Sequence, residues 1–405
     1  MAIDEQEKAT IESPELTATN QQKVRVVVGP YKVAAGPWWR GIRSPLIITI
    51  ISVVVMVALV SFSIGSTVTS SSGGSSSTTA SSAGSSSTDS SSSGSMSMGS
   101  SSSGSMSMGS SSSTQTTANV PNATQNFGNQ PAKYVVDKDG AKHFTLTAQQ
   151  VMWEPVKGKK MLAWTLDGTV PGPVIRVTAG DHVRITLVNH LPQDTTMHWH
   201  GLEIPDGMDG VPGVGQKPVA PGKSFTYDFT LHDEDAGTHW YHSHDNDITQ
   251  VMGGFYGAFI VDPRPGSAQA KVEPKADVEY IEMISELGAY YVINGKSYPD
   301  TQPIKLKHGQ TVRLRIIGAS EMMHPMHLHG HYFNIVAEDG HTLQTPIQKD
   351  TVQVAPGETY DLTFQGWAPP GSIYPFHCHI LSHLMNPGQS ADQMGGLVSL
   401  IEYDK

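Results

Sequence analysis

The stretch Ile304–Gly330 reads IKLKHGQTVRLRIIGASEMMHPMHLHG, and Ile175–Gly201 reads IRVTAGDHVRITLVNHLPQDTTMHWHG. Each carries two short alternating apolar and polar runs joined at a glycine, and each ends in His-x-His-Gly. Alternation with a period of two marks strands. The likeness continues downstream. APGKSFTYDF at 220–229 answers APGETYDLTF at 355–364, His242-Ser-His answers His377-Cys-His, and GGFYGAFIV at 253–261 answers GGLVSLIEY at 395–403. A repeat of this length means two copies of one structural unit. Short β-rich runs separated by Pro-Gly, Asp-Gly and Asn-Gly, with little helical periodicity, predict an all-β class. The expected architecture is two Greek-key β-sandwiches, at 121–265 and 266–405, joined near Pro263–Pro274.

The chain ahead of these units has a different texture. Leu46–Ile64 is an uncharged run of 19 residues rich in Ile and Val, long enough to cross a hydrocarbon core of about 30 Å. Arg40 and Arg43 flank it on one side beside Trp38 and Trp39. That asymmetry predicts a single-pass transmembrane helix in the cell membrane, with residues 1–45 as an unstructured cytoplasmic tail and the sandwiches on the extracytoplasmic side. A cleaved signal peptide is the competing reading; the run's length and late start favour an anchor. Residues 65–120 are dominated by Ser, Gly, Thr and Ala and read as a disordered linker. Within them GSMSMGSSSS occurs twice, starting at Gly94 and Gly104. Its thioethers, on Met96, Met98, Met106 and Met108, suit Cu(I); a drifted Ser-Gly repeat explains them equally well. A net charge of −11 excludes nucleic acid as a partner, because phosphate binding needs a basic face.

The histidines carry the chemistry. Of eighteen, ten fall in four short clusters: His198 and His200; His242 and His244; His324, His327 and His329; His377, His379 and His383. In a strand, residues i and i+2 share a face, so each His-x-His aims two imidazoles at a common space. One such doublet is weak evidence. Four, placed equivalently in two repeats, gather eight imidazoles, which points to more than one metal ion. His324, Cys378 and His383 remain over. A His2Cys set with a weak axial ligand selects copper. The chain has a single cysteine, so Cys378 cannot form an intrachain disulfide, and it sits between two histidines. His377-Cys378-His379 therefore ties the two kinds of site together covalently.

These four signatures (His198-Trp-His-Gly, His239-Trp-Tyr-His-Ser-His, His324-Pro-Met-His-Leu-His-Gly-His and His377-Cys-His-Ile-Leu-Ser-His) resemble those of multicopper oxidases. In size the chain resembles the two-domain, laccase-like group, over roughly residues 134 to 403. The resemblance implies cupredoxin-like sandwiches and four coppers per subunit equivalent. Type 1 copper would be held by His324, Cys378 and His383. Type 2 would be held by His198 and His327, and the type 3 pair by His200, His242, His244, His329, His377 and His379. Met394, in a Met-x-Gly pattern, is the favoured axial ligand; aligning the last strand with the first repeat offers Leu397 instead. Asp209 would act as an acid near type 2 copper, or serve only as a turn residue before Gly210. Ser382 stands where some relatives carry a glutamate, leaving Asp245 and Asp247 as substitutes on a second proton route. His239 and His331 lie close enough in sequence to orient ligands. Ser243 and Gln250 in the first repeat imply that it holds no type 1 copper.

The implied reaction is one-electron oxidation of a donor (a phenol, Cu(I), Mn(II) or a small redox protein) coupled to four-electron reduction of O2 to water. Cys378, His377 and His379 would carry the electrons. The implied assembly is a homotrimer. A copper nitrite reductase and a non-catalytic copper store or carrier are the alternatives.

Overall fold

The structure, a computed structural model, describes residues 119–405 except Ala391. The apolar run at 46–64 and nearly all of the segment at 65–120 lie outside the described residues. Among the described residues no helix is long and apolar enough to cross a membrane.

Two β-sandwiches follow one another. In the first, one sheet runs in the order Tyr134–Val136, Lys142–Val156, His182–Asn189, Ser224–Thr230, with Lys159–Leu166 also paired to Lys142–Val156. The facing sheet runs Ile175–Thr178, Tyr256–Asp262, Gly237–His242, His198–His200. In the second, a sheet ordered Tyr290–Ile293, Val278–Leu287, Thr311–Gly318, Thr359–Gln365, Phe333–Glu338, His341–Lys349 faces another. That one runs Ile304–Leu306, Val398–Tyr403, Ile373–Cys378, His324–Leu328, Thr351–Val354. Each sandwich has a parallel pair in both of its sheets. These are Lys142–Val156 beside His182–Asn189 and Ile175–Thr178 beside Tyr256–Asp262 in the first. Val278–Leu287 beside Thr311–Gly318 and Ile304–Leu306 beside Val398–Tyr403 answer them in the second. Parallel neighbours need crossovers rather than hairpins, and the same crossovers recur in both halves.

The repeat extends to register. His198 pairs across the sheet with His242, and His327 pairs with His377. Trp199 pairs with Tyr241, and Leu328 with Phe376, one step along. Because side chains alternate, the histidines turn to one face while Trp199, Tyr241, Leu328 and Phe376 enter the core. Trp199 packs edge-on to Tyr227 and Phe259, with ring centroids 5.1 and 5.8 Å away. The Tyr227 hydroxyl accepts the Met197 N–H at 2.8 Å, and Tyr241 donates to the Pro173 carbonyl at 2.5 Å. The strand that carries the first His doublet is thus pinned by a buried aromatic between its two histidines.

The two sandwiches share a seam. Val151, Trp153, Trp240, Tyr256 and Ile260 of the first pack with Met283, Leu287, Val292 and Ile317 of the second. Beside this apolar core lies a buried polar network. The Thr238 hydroxyl donates to Asp361 Oδ1 at 2.6 Å, and Arg315 reaches Thr238 Oγ1 at 2.6 Å and Asp361 Oδ2 at 3.2 Å. Arg313 also pairs with Asp361. Two buried guanidiniums share the buried Asp361 carboxylate, and the partly exposed Glu273 and Glu279 complete the network on Arg313 and Arg315. Replacing Asp361 with Ala should destabilise the folded chain by about 3–5 kcal/mol, measured as a lowered denaturation midpoint. Thr238→Val removes only a neutral partner and should cost about 1–3 kcal/mol.

Candidate metal centre

The tightest constellation is His324, Cys378 and His383, all fully buried or nearly so. Their ligand atoms form a triangle: Nδ1 to Nδ1 at 3.1 Å, and Cys378 Sγ at 3.8 Å from His324 Nδ1 and 3.6 Å from His383 Nδ1. A point in that plane lies about 2.0 Å from all three, which is a metal–imidazole bond length. Three unlike donors aimed at one point in a dry core match a trigonal His2Cys copper site. Strand His324–Leu328 supplies the first ligand, the end of Ile373–Cys378 the second, and the 3-10 turn Leu381–Leu384 the third.

The eight remaining histidines form two quartets, one per sandwich. In the first, His198 lies 5.8, 5.2 and 5.4 Å (ring centroids) from His200, His242 and His244. In the second, His327 lies 4.7, 5.8 and 5.8 Å from His329, His377 and His379. The Nε2 atoms of His329 and His377 are 2.9 Å apart. In four of the eight, the Nδ1 atom is taken up by a backbone carbonyl: His198 by Asp209, His242 by Ser243, His327 by Asp350 and His377 by Cys378, at 2.7 to 2.8 Å. A ring that donates Nδ1–H outward must present an unprotonated Nε2 inward. That is the orientation of metal-bound histidine. Apart from His324 and His383, the close imidazole pairs fall within one quartet or the other.

Burial, aided by neighbouring imidazoles, favours the neutral form of His200, His242, His329 and His377. It lowers His242 to about 3 and His200 to about 4. His329 and His377 are also lowered, chiefly by desolvation. Burial pushes the Cys378 thiol up, so a metal is needed to hold the thiolate, and loading must release its proton.

The other residues singled out in the sequence sort themselves by position. Asp209 ends the 3-10 turn Asp206–Met208 and sets its carboxylate 3.2 Å from His198 Nδ1. Asp247 lies 3.8 Å from His244 Nδ1. Burial raises Asp245, with help from Asp194 and Asp247. His331 links the His329 carbonyl at 2.9 Å to the Tyr403 hydroxyl at 2.6 Å. His239 donates to the Asp235 carbonyl at 2.8 Å.

Met394 does not join the buried triangle. Its side chain is 50% exposed, whereas Leu397 is 0% exposed, shares the core cluster of Cys378, and accepts the Cys378 N–H through its carbonyl. Of the two axial candidates, burial in the core cluster of Cys378 favours Leu397 over Met394.

Three features were not read from the sequence. Glu286 accepts a hydrogen bond from His324 Nε2 at 3.0 Å and lies 2.9 Å from the Ser320 hydroxyl. Burial pushes its carboxyl up, but those bonds more than offset it and hold it below its ordinary value. Tyr291 stacks on His383, 4.0 Å between centroids and 19° from parallel. In the first sandwich, Gln250 Oε1 accepts from Thr195 at 2.7 Å and from Ser243 at 2.6 Å. Thr195 stands where the repeat has His324, and Ser243 where it has Cys378. A neutral hydrogen-bonded triad thus replaces the metal-binding one.

The lowered imidazoles set a pH dependence. His200 and His242 are neutral when folded and titrate near 6.5 when unfolded. Their contribution to stability is complete above about pH 6.5 and is lost as pH falls toward 4 and then 3. The melting temperature of copper-free protein should therefore drop between pH 6.5 and 4, and the drop should shrink in a His200→Asn, His242→Asn variant.

Multicopper oxidase family models match residues 147–266 and 267–387. Laccase-15 of Oryza sativa subsp. japonica is 34% identical over 248 residues, covering 53% of this chain and 40% of that protein. Copper resistance protein A of Escherichia coli is 27% identical over 279 residues, covering 54% and 45%. The chain thus spans less than half the length of these curated relatives. Among solved structures, blue copper oxidase from Nitrosomonas europaea is 34% identical with a TM-score of 0.59, covering 64% of this chain and 85% of that one. Multicopper oxidase mgLAC is 34% identical with a TM-score of 0.59, covering 65% and 86%. With its cupredoxin-like sandwiches and His-Cys-His strand, this chain belongs to the multicopper oxidase family.

Proposed function

We propose that the chain is a laccase-like copper oxidase that takes single electrons from a reducing donor and passes them to O2. The observation that carries this reading is the His324–Cys378–His383 triangle, set on the very strand whose neighbouring residues, His377 and His379, belong to a histidine quartet. Copper bound at these residues supplies the one-electron oxidation of the donor and the four-electron reduction of O2 to water. His324, Cys378 and His383 would hold the type 1 ion, with the buried Leu397 packed in the same core cluster as Cys378. His198 and His327 would hold type 2, and His200, His242, His244, His329, His377 and His379 the type 3 pair, for four coppers per subunit equivalent. Cys378 gives the electron a covalent route to both flanking imidazoles. Asp209 sets its carboxylate 3.2 Å from His198 Nδ1, at the end where oxygen would be reduced.

The homotrimer belongs to this proposal. Each quartet is only partly buried, and exposed apolar residues stand close to both along the chain: Ile248 after His244, Tyr332 after His329 and Leu381 after His379. A first-domain quartet of one subunit closing on the second-domain quartet of the next would complete the cluster and cover these side chains. The anchor at 46–64 would hold the assembly on the extracytoplasmic face of the membrane, and the apolar run supports this. A nitrite reductase is disfavoured by the neutral Thr195–Ser243–Gln250 triad and the second set of four histidines. A copper carrier would need one ion, not four.

Copper-loaded protein should bind four coppers per chain, show an intense blue thiolate absorption, and consume one O2 per four electrons from a phenol such as 2,6-dimethoxyphenol. One copper per chain with no oxygen uptake would refute the reading. Cys378→Ser should lose the absorption and the oxygen uptake together. Asp209→Asn should lower kcat by about 100-fold while leaving the blue band in place. Leu397→Met should lower the type 1 potential and Met394→Leu should leave it unchanged; a shift with Met394→Leu would restore that residue to the axial position.

A further inference from the structure

One hairpin covers both imidazoles of the buried triangle. Strands Val278–Leu287 and Tyr290–Ile293 pair antiparallel, with Glu286 directly opposite Tyr291. Glu286 accepts from His324 Nε2, and Tyr291 lies nearly flat on the His383 ring, 4.0 Å between centroids. Beneath this cover His324 is 0% and His383 3% exposed. A small donor therefore has almost no ligand edge to touch. Cavities of about 440 and 390 Å³ are lined by residues between 207 and 225 and by residues around His200 and His341, and neither is lined by Tyr291 or His383. Electrons must instead cross a covering side chain. Tyr291 is half-buried on the edge strand of its sheet, so its ring connects the surface with His383.

Beside this hairpin the first sandwich presents a basic tip. Strands Lys142–Val156 and Lys159–Leu166 are joined at Lys157-Gly158, and Lys157, Lys159 and Lys160 are all exposed. Lys160 reaches the neutral Asn122 Oδ1 at 2.8 Å. The adjacent carboxylates, Glu154 and Asp300, are turned to backbone, accepting the Gly158 and Lys157 N–H groups. Two contacts tie the tip to the cover. Met161, following Lys160, packs against Gly288 in the turn between the two covering strands. The Ser297 N–H donates to the Pro155 carbonyl at 3.0 Å, and the Ser297 hydroxyl donates to Asn386, just past the turn that carries His383. Lysines on a hairpin tip ordinarily only solvate it. These stand next to the electron route of a chain whose net charge is −11. An acidic protein, repelled by the chain as a whole, would be oriented by such a local patch. An anionic lipid surface offers the same charge but brings no electron to Tyr291.

We propose that the Lys157–Lys160 tip and Tyr291 form a docking face for an acidic one-electron carrier protein, and that the carrier's electron reaches His383 through the Tyr291 ring. The proposal rests on the oxidase reading above and narrows its donor. The reduced carrier gives up one electron at each encounter and leaves oxidised; Tyr291 is a positioning residue that bridges the gap and ends each encounter unchanged. Four such electrons and four protons convert one O2 to two waters. Encounters between electron-transfer proteins bury less than about 1,200 Å² in total, so two neighbouring hairpins are surface enough.

Ferrous cytochrome b5, whose haem edge is ringed by carboxylates, is the probe, and the basic cytochrome c is its control. Copper-loaded, full-length protein is compared with a Lys157→Glu/Lys159→Glu/Lys160→Glu variant and with Tyr291→Leu and Tyr291→Phe. The triple variant should lose about tenfold in kcat/KM with cytochrome b5, chiefly through KM and only at low salt, and should gain with cytochrome c. Its rate with 2,6-dimethoxyphenol should not change. In calorimetry, which needs no turnover, it should bind ferric cytochrome b5 more weakly than wild type does. Tyr291→Leu should lower kcat with cytochrome b5 while KM and the blue absorption stay as they are, and Tyr291→Phe, which keeps the ring, should restore the rate. Changes of the same sign with both cytochromes, unchanged binding, or lysines needed for anionic vesicles but not for cytochrome b5 would overturn the proposal. If wild type consumed no O2 with any donor, the oxidase reading would fail, while the calorimetry would still report on the docking face.

Discussion

The structure depends on a cross-strand pairing made twice: His198 against His242, and His327 against His377. A two-residue period decides which way every neighbour points. With Trp199 or Leu328 committed to the core, the histidines on either side must emerge on the opposite face. A slip of one residue in either pairing would bury imidazoles and expose aromatics, so core packing and ligand placement enforce each other. The carbonyl caps on four Nδ1 atoms then fix the tautomer and turn four unprotonated Nε2 atoms inward, that of His377 to within 2.9 Å of His329 Nε2.

The same constraint separates the two kinds of site. Cys378 is one step out of phase with His377 and His379, so its thiol points into the sandwich where theirs point out. A single strand thereby serves a dry trigonal pocket on one face and a half-open quartet on the other. Glu286 and Ser320 close the outer edge of the dry pocket, and Tyr291 stacks on His383. The first sandwich keeps the geometry but substitutes Thr195, Ser243 and Gln250, whose hydrogen bonds satisfy one another without charge or metal. Duplication followed by loss of one centre accounts for a chain with two quartets and one thiolate.

Much of this was legible in the sequence because it is periodic and local. Doubled His-x-His motifs, alternation, and the repeated APG turn specify both sandwiches and the ten imidazoles. What was not legible depends on long-range packing. Glu286 lies 38 residues from His324, and nothing in the text of its strand marks it as a ligand's partner. Gln250 reads as an absent histidine, yet it is the hub of a buried triad. Met394 was favoured because Met-x-Gly is a local pattern; the loop 386–396 determines where that pattern falls in space, and it delivers Leu397 to the core instead. The residues before Asn119 bear on location and anchoring through composition alone.

We propose that the two histidine quartets of the chain form an oxygen-reducing centre when they meet across subunits. Complementation tests it most directly. One variant, His198→Ala/His200→Ala, lacks the first-domain ligands, and another, His327→Ala/His329→Ala, lacks the second-domain ones; each alone should be inactive. Co-expressed, the intact first domain of one can face the intact second domain of the other. The account predicts that oxygen uptake returns in the mixed assembly, together with copper in excess of one ion per chain. Mixed assemblies as inactive as either parent would contradict it and place the whole centre within a single chain or nowhere.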